Sequence, residues 1–266
     1  MPIVKHAYPI LEHDTAPDGI IRPNRHGRPP LPPVAVLTFF GEVLEAYVER
    51  HQCPVLNSYD SEMRRFPVYG TTYGGRDIAL IQAVVGSGSI AMMTDFLLGH
   101  GVRTILACGG CGVLDAIPAG DVILPTSALR DEGASYHYLP PARHIDLDED
   151  ILAILKETLD AHHVPYVSCR TWTTDAFYRE TPDMVTYRKE EGCRVVEMEC
   201  ATMAAVARFR GAKFGQLLYS GDILTDFDHY DDREWSKNGS ARETLFRLIL
   251  ESAKHESLIH EYCHSR

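Results

Sequence analysis

Two acids one residue apart, Glu197 and Glu199, stand in "VVEMECATMAAVARFRG" (195–211), at the entrance to a run of small apolar residues that reads as a buried helix. A carboxylate in such a place needs a cation or several hydrogen-bond donors to offset its desolvation. If 197–199 is locally extended, both side chains point the same way, because strand side chains alternate. Few cations lie nearby in sequence, so the pair suits a polyol whose hydroxyls donate to it. Glu–Met–Glu without an accompanying histidine is a poor transition-metal site. A salt-bridged helix N-terminus is the structural alternative. Farther on, "LLYSGDILTDFD" sets Asp222 just after an apolar strand, where an acid can protonate a ring nitrogen of a departing base. Arg233 in "DDREW" is near enough in sequence to pair with it, while Asp226, Asp228, Asp231 and Asp232 read as a solvated acidic loop.

Three further segments carry ligand-binding residue types. "AVVGSGSIAM" is a strand, a Gly-Ser-Gly turn and a helix start, whose unpaired amides suit an anion. It also fits G-x-G-x-x-A, but the next strand ends "RTILACGGCG" without the acid that a dinucleotide site requires. In "ACGGCG" the glycines 109, 110 and 112 weaken strand and helix alike, so packing alone does not account for them. They allow backbone to approach a flat or anionic group. "TWTTDAFYRE" offers Phe177 and Tyr178 after a strand, suited to stacking on a planar ring or to plain core packing. The Cys108–Cys111 pair lacks a second cysteine pair or nearby histidines, so it reads as small residues in a tight loop and not as a zinc or redox site. The tail cluster His255, His260, Cys263 and His264 matches no metal-ligand spacing.

The elements that hold these groups follow from patterning. "VAVLTFF" (34–40), "IALIQAVV" (78–85), "RTILAC" (103–108), "DVILP" (121–125), "YVSCRTW" (166–172) and "FGQLLYS" (214–220) read as strands covered on both faces. Helices alternate with them: one capped by Ser89 and stopped at Gly99 and Gly101, one over 151–163 behind the acids of "DLDED", and one over 240–255. Such alternation predicts a layered α/β fold. Residues 1–33, proline-rich and ending in "RPPLPP", form an arm; 34–266 read as one domain. The formal charge of −11, from 26 basic and 37 acidic residues, argues against nucleic acid or an anionic membrane as partner. No apolar run approaches the roughly 20 residues that span a bilayer, and no signal peptide is visible, so a cytoplasmic protein is expected. Seven cysteines without a secretion signal point to reduced thiols.

Taken together, "VVEMECAT", "GDVILPTSALRDEGASYHY", "TTDAFY" and "YSGD" resemble the nucleoside phosphorylase family of hexameric purine nucleoside phosphorylases and uridine phosphorylases, over about residues 34–255. The resemblance implies a three-layer α/β/α fold around a mixed, partly barrel-like sheet. It also implies cleavage of a nucleoside's N-glycosidic bond with phosphate as co-substrate and neither metal nor organic cofactor. Carried over by position, Glu199, Met198, Glu197 and Val85 hold the ribose, Phe177, Cys111 and Gly112 line the base pocket, and Asp222 serves the base's N7 with Arg233 beside it. The partners implied are a nucleoside, phosphate and further copies of the chain, in a dimer or hexamer whose sites a neighbour completes.

Purines are favoured. Uridine-cleaving members carry a glutamine and an arginine after the aromatic pair, where this chain reads "YRETPD", and they lack an acid at the place of Asp222. The phosphate site departs from the family. "LTFFGEVLEA" replaces a Gly-Asp-Pro-x-Arg turn, and Ala107 and Gly110 stand where an arginine and a hydroxyl residue are usual. Gly109, Gly110 and Arg64 remain to hold an anion. Phosphorolysis of a purine nucleoside is therefore expected, with three alternatives. These are hydrolysis with Glu42 as general base, uridine cleavage, and a nucleoside-binding protein without turnover.

Overall fold

The computed structural model describes residues 3–24, 27–224, 230–255 and 257–260. Asp226 and Asp228 of the acidic loop, and Cys263 and His264 of the tail, lie outside the described residues. In chain order the elements are β1 (Val34–Thr38), α1 (Gly41–His51), β2 (Val55–Asp60), β3 (Arg65–Tyr73), β4 (Arg76–Gln82), α2 (Ser87–Gly99) and β5 (Thr104–Val113). There follow β6 (Val122–Asp131), β7 (His144–Asp146), α3 (Glu149–Ala161), β8 (Tyr166–Thr174), α4 (Pro182–Glu190) and β9 (Cys193–Glu197). Last come α5 (Cys200–Phe209), β10 (Lys213–Ile223), α6 (Gly239–Ala253) and the short α7 (Ser257–His260). Among the described residues no helix is long and apolar enough to cross a membrane.

One mixed sheet runs β10-β6-β8-β9-β5-β1-β4-β3-β2, with β7 added beside β6. A further pairing of β10 with β5 closes β5, β10, β6, β8 and β9 into a five-strand, barrel-like ring. The ring is filled by Cys111, Val113, Ile117, Ile123, Cys169, Val195 and Leu218. Helices flank the sheet, α1, α3 and α6 as one group and α2 with α5 as another. In α3 the buried Ile151, Leu152, Ile154, Leu155 and Leu159 form one apolar face, and Glu149 and Asp150 in the first turn complement the helix dipole. The small residues of α5 let it pack closely, and all but its last two positions are buried.

Several sequence expectations change here. The glycine stretch 109–112 is no loop: β5 continues through it to Val113, because β10 and β9 pair with it along its length. The helix expected from Ser89 starts at Ser87, after Gly86 turns the chain at a φ of 92°. Strands β2, β3, β7 and β9 and helices α1 and α4 are additional to those read from patterning. The mostly exposed β2 carries too little apolar pattern to signal a strand, whereas the alternating burial of β3 and the buried Val195 and Val196 of β9 were usable signals.

Candidate active site

The two acids of the opening motif diverge. Glu197 ends β9, and its Oε1 accepts the hydroxyls of Thr173 (2.6 Å) and Thr171 (3.3 Å) from β8. Its Oε2 accepts the amides of Glu199 (2.7 Å) and Cys200 (2.6 Å) at the start of α5. Burial raises its pKa, and these four donors work against the rise. Glu197 is thereby engaged by the chain's own donors and does not share a ligand-facing side with its neighbour. Glu199 leaves the strand direction, with φ of −139° and ψ of −25° at the N-cap of α5. Its Oε1 accepts the amide of Gly86 at 2.7 Å. Its carboxyl is pushed up to about 8, first by burial and next by the charge of Glu197. Of the amides at the start of α2, that of Gly86 is taken by Glu199 and that of Ser87 by Asp175 (3.2 Å), so these two are not open to an anion. Met198, half-buried, lies between the two glutamates in the chain, and Val85, 66% exposed, precedes the Gly86 whose amide Glu199 accepts.

A second acidic centre forms around Asp222 near the end of β10. Burial raises its pKa, while a hydrogen bond from the Tyr230 hydroxyl and the charge of Arg233 oppose the rise. Arg233 sends Nη1 to the carbonyls of Ile117 (2.8 Å) and Gly221 (3.5 Å), so it acts on Asp222 as a nearby charge. Glu180 belongs to this centre too, pushed up to about 8 by burial and then by Asp222. It follows the Phe177–Arg179 turn, which its amide closes onto the Phe177 carbonyl at 3.2 Å. Phe177 is 49% exposed and stacks on Tyr178 at 3.9 Å between ring centroids. A side chain at Gly112 would crowd the side chains around it. A Cβ there would lie 2.4 Å from Leu224 Cδ1, 3.0 Å from Val196 Cγ1 and 3.3 Å from Asp222 Oδ1. Cys111 is buried beside it, with its thiol on the Tyr219 carbonyl at 3.4 Å and its pKa well above the usual value through burial. Cys108 is pushed up to about 12 by the same cause. Among the described residues no three of His, Cys, Asp and Glu group around a metal position.

The other glycines meet aromatic rings. A Cβ at Gly109 would lie 2.9 Å from the Phe39 ring, and one at Gly110 would lie 3.3 Å from the Tyr219 ring. The Tyr219 hydroxyl in turn meets Arg242 Nε at 3.4 Å. Arg242, on α6, stacks over Phe40 (5.2 Å) and Trp235 (5.8 Å) and is ion-paired to Glu42. Arg64 hydrogen-bonds Gln82 and lies over the Phe66 ring at 4.6 Å. Gln82 Nε2 is 2.9 Å from where a Cβ on Gly41 would stand, so Arg64 reaches toward the start of α1.

Asp175, Glu180, Tyr230 and Arg242 escape sequence reasoning. Asp175 sits inside "TTDAF", where an acid between a threonine pair and an aromatic was a usable signal. Arg242 is hidden in an ordinary amphipathic helix.

The sequence pattern of the Phosphorylase superfamily matches residues 33–253. The chain belongs to that superfamily. A guanosine phosphorylase from Halorubrum lacusprofundi is 31% identical over 201 residues, 71% of this chain and 81% of that relative. A DeoD-type purine nucleoside phosphorylase from Colwellia psychrerythraea is 26% identical, covering 72% of this chain and 80% of its own. Among solved structures, a uridine phosphorylase from Vibrio fischeri superposes with a TM-score of 0.70 at 21% identity, over 88% of this chain and 92% of that one. An AMP nucleosidase from Bacteroides thetaiotaomicron superposes with a TM-score of 0.66 at 23% identity, over 84% and 87%. These superpositions establish a common fold. The nucleoside phosphorylase-like three-layer architecture expected from the sequence motifs is the architecture found.

Proposed function

We propose that this member of the superfamily cleaves the N-glycosidic bond of a purine nucleoside by phosphorolysis, releasing free base and pentose 1-phosphate without a metal or organic cofactor. The observation that carries the reading is the pair of separate acidic centres, Glu199 anchored at the start of α2 and Asp222 near the end of β10. Glu199 accepts the sugar hydroxyls, and Glu197 holds the start of α5 so that Glu199 projects correctly. Met198 and Val85 contact the pentose; Phe177, Cys111 and Gly112 border the base. As a phosphate oxygen bonds to C1′, the C1′–N9 bond breaks and its electron pair moves onto the base. The raised pKa of Asp222 suits it to give a proton to N7 at that moment. The charge of Arg233 steadies that acid. The names of the guanosine and purine nucleoside phosphorylase relatives support the purine preference. Gly109, Gly110 and Arg64 border the anion, and exposed Val55, Leu56, Met63 and Met92 support assembly with further copies.

One observation favours a second reading. Rings of Phe39 and Tyr219 cover Gly109 and Gly110, and Arg242 is already matched by Glu42. Water would then replace phosphate, with Glu42 taking its proton and free pentose as product. Incubation with guanosine, inosine, adenosine and uridine, with and without phosphate, tests both. Pentose 1-phosphate formed only with phosphate supports phosphorolysis. Free pentose without phosphate supports the second reading, and no product in any arm defeats both.

A further inference from the structure

Three ligand-side segments distant in sequence converge on one unassigned carboxylate, Asp175. It lies between the end of β8 and the turn that begins at Phe177. Its Oδ1 accepts the amide of Ser87 at 3.2 Å and its Oδ2 the amide of Gly133 at 2.8 Å. Ser87 is buried and opens α2, a helix with no side-chain cap from its own N-cap residue, Gly86. An uncapped first turn leaves donors without partners, and a carboxylate there satisfies one while complementing the helix dipole. The preceding amide, that of Gly86, is the one bonded to Glu199 at 2.7 Å. Adjacent amides of one turn are thus held by two carboxylates from different parts of the sheet.

We propose that Asp175 is a positioning residue, which clamps the first turn of α2 to the 133 loop so that the Gly86 amide orients Glu199 toward the sugar. This rests on the reading of Glu199 as the ribose-binding acid. Gly86 has a φ of 92°, so its amide direction is set by a backbone conformation that side-chain-bearing residues rarely adopt. Fixing Ser87 from one side and Gly133 from the other removes the freedom of that turn to rotate. Asp175 also sits two residues before Phe177, so the clamp links the ring proposed to border the base to the acid proposed to hold the sugar. The groups facing Glu199 are Glu197 from β9, Asp175 from the segment after β8, and the amides of Gly86 and Met198. Asp175 thus both aims Glu199 and, through its own charge, raises the pH at which Glu199 ionises.

The test compares Asp175→Ala and Asp175→Asn with the wild type, in kcat and KM for purine nucleoside with phosphate across pH 5.5–9.5 and in thermal unfolding. Displacing a positioned group by about an ångström costs on the order of 10²-fold, so Asp175→Ala should lower kcat by roughly 10- to 100-fold with a smaller change in KM. Asp175→Asn, which keeps an acceptor but loses the charge, should retain more activity and move the acid-side limb to lower pH. In parallel, carboxyl-carbon NMR of glutamate-labelled protein should show the Glu199 titration moving down in Asp175→Asn. Variants that melt earlier but keep kcat, the limb and the Glu199 titration of the wild type would overturn the clamp. A wild type that turns over no nucleoside would refute the function reading, and the Gly86 amide resonance, displaced in Asp175→Ala if Asp175 aims that amide and unchanged if it does not, would still decide the clamp.

Discussion

Replacing Glu199 by glutamine removes an ionisable group while keeping the shape and one acceptor for the Gly86 amide. In the wild type its carboxyl is pushed from the ordinary 4.5 to about 8, by burial first and by Glu197 next. The folded chain therefore binds the proton more tightly than the unfolded chain does. Stability from this source is fully present below about pH 4.5 and is lost as pH rises through about 8. At about 1.4 kcal/mol per pH unit, the rise corresponds to an upper bound of about 5 kcal/mol, part of which belongs to Glu197 in the same cluster. Urea unfolding at pH 5, 7 and 9 should show wild-type stability falling by a few kcal/mol, with Glu199→Gln flatter and more stable at pH 9. The same variant should lose about 10²- to 10³-fold in kcat, the cost of removing a group aimed at developing transition-state charge. A variant that keeps wild-type turnover, or one that is less stable than the wild type at pH 9, would refute the assignment of a function-bearing, desolvated acid.

Gly112→Ala should destabilise by about 1–3 kcal/mol, because its Cβ overlaps Leu224 and Val196, and should depress kcat by displacing Asp222; thermal melts and steady-state rates check both. Glu180→Gln should flatten stability between about pH 4.5 and 8 in urea titrations, because over that window the folded chain, with this carboxyl pushed up to about 8 by burial and then by Asp222, holds a proton that the unfolded chain has released. Glu42→Gln discriminates the nucleophile: it should leave phosphate-dependent cleavage within a few-fold of wild type, whereas loss of about 10²-fold or more in a phosphate-free reaction marks Glu42 as the base.

Legibility from sequence followed the range of the interaction. Strands β1, β5, β6 and β10 announce themselves as apolar runs because each is covered on both faces, and β8 is so covered from Cys169 onward. The strand character of Gly109–Gly112 was hidden, since its register comes from β10 and β9, whose paired residues lie 109 and 84 positions farther on (Gly109 with Leu218, Gly112 with Val196). The Glu-Met-Glu motif was legible as a pair of acids, but the partners that set the two apart were not. The threonines that engage Glu197 lie 24 and 26 residues upstream, and the Gly86 partner of Glu199 lies 113 residues away. No local pattern separates such carboxylates. The same holds for Asp175, whose partners are 88 and 42 residues distant. Phe39 and Tyr219 fall within the strand runs 34–40 and 214–220, and only three-dimensional packing reveals that they cover glycines 109 and 110.

The most direct test of the two-centre site is a crystal structure with a non-cleavable purine nucleoside analogue and phosphate bound. The Glu199 carboxylate should accept the pentose hydroxyls while Asp222 faces N7, with the sugar between them. A nucleoside bound away from Glu199, or a base whose N7 faces some other group, would contradict the assignment.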